Sequence, residues 1–342
     1  MQNIMFRKLL LFLFMASCTL CAVAQGTTLK LRKWDIPAGN YSGITPLGGD
    51  RYAVVTDKPH GANGFFEFQI VLSPEGKISH VENLGYRADS VPGTLRDTEG
   101  VVFCQSTGTL FVSAENDQQI IEYLPTGQQT GRKLNIPQAF SAQNIQHNYG
   151  FEALGYSPIT QLFWTTTENT LKADQKQAPH GRAFLRLQSF TPDLQPYRQY
   201  VYLTDAAVKI DAHHKKYYCF GVPEITALED SSLLVMEREL YIPSGYMGAF
   251  VSNKIYQVHP TAAHAIDSEL TFEEIPQEKF LPKTLITEFR THIPRLSNYE
   301  GMCLGPVLPD GTRTLLLVSD SQDNAGNVLY HLRDRLRVIL LK

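Results

Sequence analysis

From residue 41 to the C-terminus, short apolar runs rich in β-branched and aromatic side chains alternate with clusters of Gly, Pro, Asn and Asp. Runs of that length, bounded in that way, predict strands and not helices. They fall at 41–47, 51–58, 65–72 and 77–84; at 98–105, 109–115, 119–124 and 133–136; and at 150–156, 161–168, 183–190 and 199–203. The pattern continues at 222–228, 232–237, 254–258 and 283–289, then at 299–304, 314–319 and 335–341. Four units thus carry four strands and the fifth carries three. A candidate for the missing strand lies at the other end, over 28–36; pairing it into the last unit would close a ring and remove a free sheet edge. The stretch 328–333 fits either a strand or a helical turn. The segmentation predicts an all-β chain forming a single β-propeller of five blades, closed by the N-terminal strand. Six blades is the alternative if polar insertions hide a unit.

One phrase recurs in every unit: a small polar or acidic residue in an apolar turn, then a strand ending in a second polar or acidic residue. It reads Ser42-Gly43-Ile44 with Thr56-Asp57, Glu99-Gly100-Val101 with Ala114-Glu115, and Glu152-Ala153-Leu154 with Thr167-Glu168. It returns as Pro223-Glu224-Ile225 with Glu237-Arg238, and Glu300-Gly301-Met302 with Ser319-Asp320. A period of roughly 40–75 residues with several strands per period is a propeller signature. Because the first strand of each blade lines the central channel, Ser42, Glu99, Glu152, Glu224 and Glu300 should meet at the axis. Converging carboxylates raise one another's pKa, and desolvation adds to the effect. A cation resolves the conflict, and an all-oxygen donor set without His or Cys suits Ca²⁺, with Mg²⁺ less favoured by geometry. The competing reading is a hydrated acidic ladder that caps backbone amides. Asp57, Glu115, Glu168, Glu237 and Asp320 form a second layer. Arg238 offers a planar fork for phosphate or carboxylate, or else pairs with scaffold glutamates; Lys58 and His60 are further cations.

The insertions at 169–182, with Lys172, Lys176 and His180, and at 240–253, with Tyr241, Tyr246 and Phe250, are candidate specificity loops, as is the polar run 260–279. The tract 211–216 reads as a solvated connection. There is no Gly-rich phosphate loop, no Gly-x-Ser-x-Gly elbow and no His-Glu-x-x-His. Arg7 and Lys8, the apolar stretch from residue 9 and Ala22-Val23-Ala24 read as a secretory leader over 1–24, with the mature domain over 25–342. A membrane anchor fits less well because the apolar run is short. A lipid anchor on Cys18 fits less well because Phe14-Met15-Ala16-Ser17 is a poor lipobox. Removing Arg7 and Lys8 from 31 basic residues against 34 acidic ones leaves a net charge of about −5, opposite to a nucleic-acid footprint. The odd set Cys104, Cys219 and Cys303 is expected unbridged, as small buried apolar groups.

The five paired phrases, with Gly150-Phe151-Glu152 and Asp323-Asn324, together resemble the bacterial phytase-like family, whose label is esterase-like activity of phytase. That resemblance covers nearly the whole mature chain and implies a β-propeller, export and hydrolysis of a phosphate ester. A fainter likeness is to the calcium-activated nucleotidases (apyrases), whose central calcium is held by Ser and Glu from the innermost strands; here Glu224 stands where they have serine. The leading expectation is an exported, calcium-dependent phosphoester hydrolase acting as a monomer on a small anionic substrate. Ser42, Glu99, Glu152, Glu224 and Glu300 would hold the ion, Arg238 the substrate phosphate, and Asp57, Glu115 or Asp320 the attacking water. The alternatives are a non-catalytic propeller binding a glycan, peptide or envelope partner through Tyr241, Tyr246 and Phe250 with a structural calcium, and hydrolysis of a lactone or carboxylic ester.

Overall fold

The structure is a computed structural model that describes residues 27–59, 61–89, 93–327 and 331–341. The leader expected over 1–24 with Cys18, His60, and 328–330 of the unassigned stretch lie outside the described residues. Among those described, twenty strands build five antiparallel sheets of four strands each, so the five-bladed propeller is the observed fold. A short strand, β1 (Thr28–Lys30), precedes blade one, which is β2 (Tyr41–Gly48), β3 (Arg51–Thr56), β4 (Gly64–Leu72) and β5 (Ile78–Ala88). Blade two is β6 (Thr98–Cys104), β7 (Thr109–Ala114), β8 (Gln119–Tyr123) and β9 (Gln129–Lys133). Blade three is β10 (Phe151–Tyr156), β11 (Phe163–Thr167), β12 (Phe184–Phe190) and β13 (Pro196–Leu203). Blade four is β14 (Lys215–Ala227), β15 (Leu233–Pro243), β16 (Phe250–Val258) and β17 (Lys283–His292). Blade five is β18 (Asn298–Leu304), β19 (Arg313–Asp320) and β20 (Arg335–Leu341), completed by β1 in the sheet order β1-β20-β19-β18. No helix among the described residues is long and apolar enough to cross a membrane.

The ring closes through Thr28 opposite Arg337 and Lys30 opposite Arg335. Only three residues of the expected 28–36 strand take part, because Leu31–Trp34 turns as a 3₁₀-helix and Asp35 follows at a φ of 58°. Each blade buries both faces, one against each neighbour. Val54 therefore joins Leu316 and Val338 of blade five, while Val55 next to it joins Val101 and Val112 of blade two. Further clusters fill the remaining interfaces: Phe111 with Phe163, Leu185 with Val235, and Met236 with Leu317. Burial on both faces is why these strands read as continuous apolar runs instead of a strict alternation.

Two expected loops are ordered differently. The insertion at 240–253 is largely strand: β15 and β16 extend as a hairpin in which Tyr241 lies opposite Phe250, ring centroids 5.8 Å apart. These aromatic rings pack on each other. The run 260–279 holds three single-turn 3₁₀-helices and lies along the open edge of blade three, bridging Gln199 to Ile266 and Val201 to Phe280. It covers an edge that would otherwise be free. The insertion at 169–182 is anchored by Asp174, which accepts a 2.7 Å bond from Arg186. Cys104, Cys219 and Cys303 are unbridged, and Cys104 and Cys303 are buried.

Around the axis the innermost strands approach backbone to backbone. A Cβ on Gly43 would lie 2.4 Å from the Glu99 carbonyl oxygen, one on Gly100 2.4 Å from that of Glu152, and one on Gly301 2.6 Å from that of Ser42. The glycine of the repeated phrase is thus a spacing requirement between blades. Gly100→Ala should cost about 1–3 kcal/mol in urea unfolding, whereas Gly245→Ala, with nothing within 4 Å of the new methyl, should cost far less.

Candidate functional site

The repeated phrase acquires its geometry from bulges. In β2, β6, β10 and β18 the register slips between Tyr41 and Gly43, Thr98 and Val101, Phe151 and Leu154, and Tyr299 and Gly301. A bulge re-aims a side chain, and Ser42, Glu99, Glu152 and Glu300 all face one cavity of about 460 Å³. In β14 the slip lies between Gly221 and Glu224, so Val222 and Pro223 occupy the equivalent place and Glu224 falls two residues later, opposite Met236. Glu224 therefore does not join the ring. It is buried, and its carboxylate accepts N–H bonds from Leu154 at 3.1 Å and Ile225 at 2.9 Å. Burial, with no cation beside it, holds its pKa well above the ordinary range. The same offset removes Glu237 from the second layer. Its carboxylate accepts the Tyr202 hydroxyl at 2.6 Å and the Asp205 amide at 2.9 Å, away from the cavity. Asp57, Glu115, Glu168 and Asp320 do line it.

Eight carboxylates in the wall face one guanidinium: Asp57, Asp97, Glu99, Glu115, Glu152, Glu168, Glu300 and Asp320 against Arg238. Arg238 is buried. Its Nη1 donates to Asn298 Oδ1 at 2.9 Å and to Glu300, its Nη2 donates to Glu168, and Glu152 lies 4.0 Å away. Glu168 of blade three and Glu300 of blade five are paired in this way, and a guanidinium so engaged is not free to take up a substrate phosphate. Lys58 is likewise paired, with Asp323.

In the opposite half of the cavity, no cation among the described residues forms an ion pair with Asp97, Glu99 or Glu115. Asp97, Glu99 and Glu115 each present a carboxylate oxygen within 4.8 Å of the others. Glu115 also accepts the Gly150 amide at 2.7 Å, which ties it to blade three. Burial first, and then neighbouring carboxylates, drives Glu99 well above its ordinary pKa. Glu115 is pushed up to about 7, chiefly by burial, with Glu168 and Asp97 adding to it. Asp57 is pushed up to about 7 as well, by burial and then by Glu300 and Asp97, against the opposing hydrogen bond from Asn40. Asp320 is raised by burial and by Glu300. Asp57 Oδ1 and Glu152 Oε2 are buried with no hydrogen-bond partner among the described residues. Clustered hard oxygen donors, orphaned carboxylate oxygens and raised pKa values together fit a hard divalent cation.

The bulges bring together Ser42, Glu99, Glu152 and Glu300 with Asp57, Glu115, Asp320 and Arg238. They leave out Glu224. The sequence reading missed Asp97, and a signal for it existed: residues two apart share a strand face, and Asp97 stands two before Glu99. Asn298 holds the same position before Glu300, where it accepts from Arg238 and donates to Glu300 at 2.7 Å. His147, Asn148 and Tyr149, from the connection between blades two and three, and Tyr217 and Tyr218 of β14 complete the wall.

Residues 36–324 match the sequence model of the family described as phytase-like, esterase-like activity of phytase. No curated protein matches the chain. Among solved structures, a catalytically inactive virginiamycin B lyase from Staphylococcus aureus is 11% identical, over 92% of this chain and 99% of that one, with a TM-score of 0.36. An exo-β-1,3-galactanase from Clostridium thermocellum is 11% identical over 90% of this chain and 59% of that one, TM-score 0.45. An endo-arabinase from Bacteroides thetaiotaomicron is 9% identical over 90% and 95%, TM-score 0.44. At that distance none of the three bears on the chemistry here, and the likeness to nucleotidases gains no support from them.

Two outcomes follow from the charge arrangement. Arg238→Met leaves Glu168 and Glu300 as uncompensated buried charges, so it should destabilise the fold by about 3–5 kcal/mol in chemical denaturation. Asp57 and Glu115 hold protons more tightly folded than unfolded, where carboxyls titrate near 4. The chelator-treated protein should therefore lose stability as pH rises from about 4 to about 7, and thermal melts at pH 5 should lie several degrees above those at pH 8.

Proposed function

Because the chain belongs to the phytase-like family described by esterase-like activity of phytase, we propose that it is an exported, calcium-dependent hydrolase of phosphate esters, acting as a monomer from the hub cavity. The observation that carries this reading is the triad Asp97, Glu99 and Glu115, three carboxylates within 4.8 Å with no ion-pair partner among the described residues. These three would hold the ion, with Ser42 and Glu152 beside them in the wall. A divalent cation held there would supply Lewis-acid chemistry, offsetting charge on substrate oxygens and lowering the pKa of water. The remaining work falls to the chain. Asp57, with an unpartnered oxygen and a carboxyl near 7, is placed to take the proton of an attacking water. Arg238 fixes Glu168 and Glu300, so the wall opposite the triad keeps its shape. His147, Asn148 and Tyr149 offer N–H and O–H donors to substrate oxygens, in the role first expected of Arg238.

Elemental analysis and calorimetric titration should find about one tightly held Ca²⁺ in the wild-type protein, lost in the double variant Asp97→Asn, Glu115→Gln. Hydrolysis of p-nitrophenyl phosphate should stop with chelator and return with Ca²⁺. Asp57→Asn should lower kcat by roughly 10²-fold with ion binding retained. Turnover indifferent to chelator would overturn the metal-dependent reading.

A further inference from the structure

A second cavity, of about 600 Å³, lies away from the hub between the outermost strand of blade four and blade five. Arg290, His292 and Arg295 come to it from β17 and the turn after it, Arg335 and Arg337 from β20, and Tyr299 from β18. Among the described residues its wall contains no aspartate or glutamate, in a chain whose net charge is −3. The hub gathers carboxylates, and this cleft gathers guanidinium groups.

Its cations are not structural ion pairs. Arg335 is 5% exposed, yet its Nε and Nη2 have no hydrogen-bond partner among the described residues. Arg337 Nε is also buried without a hydrogen-bond partner among the described residues. Arg337 stacks on Phe289, its Cζ 4.0 Å from the ring centroid, and its Nη1 donates to the Thr28 hydroxyl at 3.4 Å. Arg335 and Arg337 stand two apart on β20 and so share a face. Lys30 sits directly opposite Arg335 across the ring-closing pair, an arrangement of like charges that destabilises a sheet. Burial, then Arg333 and Arg295, hold the Arg335 pKa below its ordinary value. A buried charge without a partner is expensive, and Arg335, with Nε and Nη2 buried beside the cleft and unpartnered among the described residues, carries that cost next to a wall of cations.

We propose that this cleft is a binding site for a multiply charged, phosphate-bearing anion, separate from the hub and independent of the hydrolase reading. Guanidinium forks match phosphate oxygens two at a time. Several forks around one cavity suit a group with more than one negative charge.

The test is calorimetric titration of the full chain with inorganic pyrophosphate, in chelator and low salt so that the hub holds no cation. One saturable site is expected. The double variant Arg290→Gln, Arg295→Gln alters two exposed side chains that make no ion pair, so its fold should be intact; its affinity should fall by roughly tenfold or more. Arg335→Gln should also lose affinity while its melting temperature stays level or rises, since it removes an unpaired buried charge; a residue with a purely structural role would lower it. The hub variant Asp97→Asn, Glu115→Gln should bind pyrophosphate as the wild type does. Absence of a saturable site, or equal binding by the two arginine variants, would overturn the proposal. Vesicles of anionic phospholipid, compared with phosphatidylcholine vesicles, assign the source: co-sedimentation that pyrophosphate competes away identifies a lipid headgroup, and pyrophosphate binding without co-sedimentation identifies a soluble phosphate.

Discussion

The buried guanidinium of Arg238 is the interaction on which the hub depends. A propeller brings every innermost strand to one axis, so any side chain repeated at the bulge of each blade must meet its counterparts there. In this chain the repeated side chain is mostly acidic. Arg238, from blade four, donates to Glu168 of blade three and to Asn298 and Glu300 of blade five, and so joins three blades by charge-assisted bonds. Its reach ends there. Asp97, Glu99 and Glu115 of blade two lie within 4.8 Å of one another, and Asp57 of blade one keeps an orphaned oxygen, with no comparable counter-ion among the described residues. The asymmetry of one arginine among five near-equivalent positions thus divides the cavity into a wall with an ion-paired centre and one without.

The architecture was legible because each blade is buried on both faces, and uninterrupted apolar runs between turn residues are what that burial demands. The repeated glycines were legible too, though their reason was not. Gly43, Gly100 and Gly301 are small because a neighbouring blade's carbonyl occupies the place of a side chain. The fourth blade misled the reading. Pro223-Glu224-Ile225 resembles the phrase of the other units, but the bulge of β14 sits at Val222 and Pro223, and the true register runs two residues earlier. Register is decided by hydrogen-bond pairing, which a local pattern does not encode, and a slip of two keeps every side chain on its original face. Asp97 lies outside the repeated phrase, yet the alternation of a strand makes the residue two before Glu99 equally axial.

Charge is sorted within the molecule over short distances. The hub concentrates carboxylates and the outer cleft between blades four and five concentrates arginines, while the composition as a whole is close to balanced. The sorting follows from topology. Residues on innermost strands converge whatever their separation in sequence, and Arg290, Arg295, Arg335 and Arg337 converge because the outermost strand of blade four and the turn after it lie beside β20 of blade five. About forty residues separate the two pairs in sequence, so no short sequence window would assemble that group.

That closing pair carries a consequence for how the protein comes into being. Thr28 and Arg337 touch across 309 residues of sequence, through a strand of three residues. Closing so long a loop has a high entropic cost, and long-range strand pairing of this kind forms late. Blades one to four can assemble from contiguous chain as it emerges. Blade five needs the last strand and the first together, so the molecule behaves during synthesis as an open arc and afterwards as a locked circle. A chain cut short before β20 would keep most of its blades and still lack the latch, leaving the acidic hub splayed and exposed instead of enclosed.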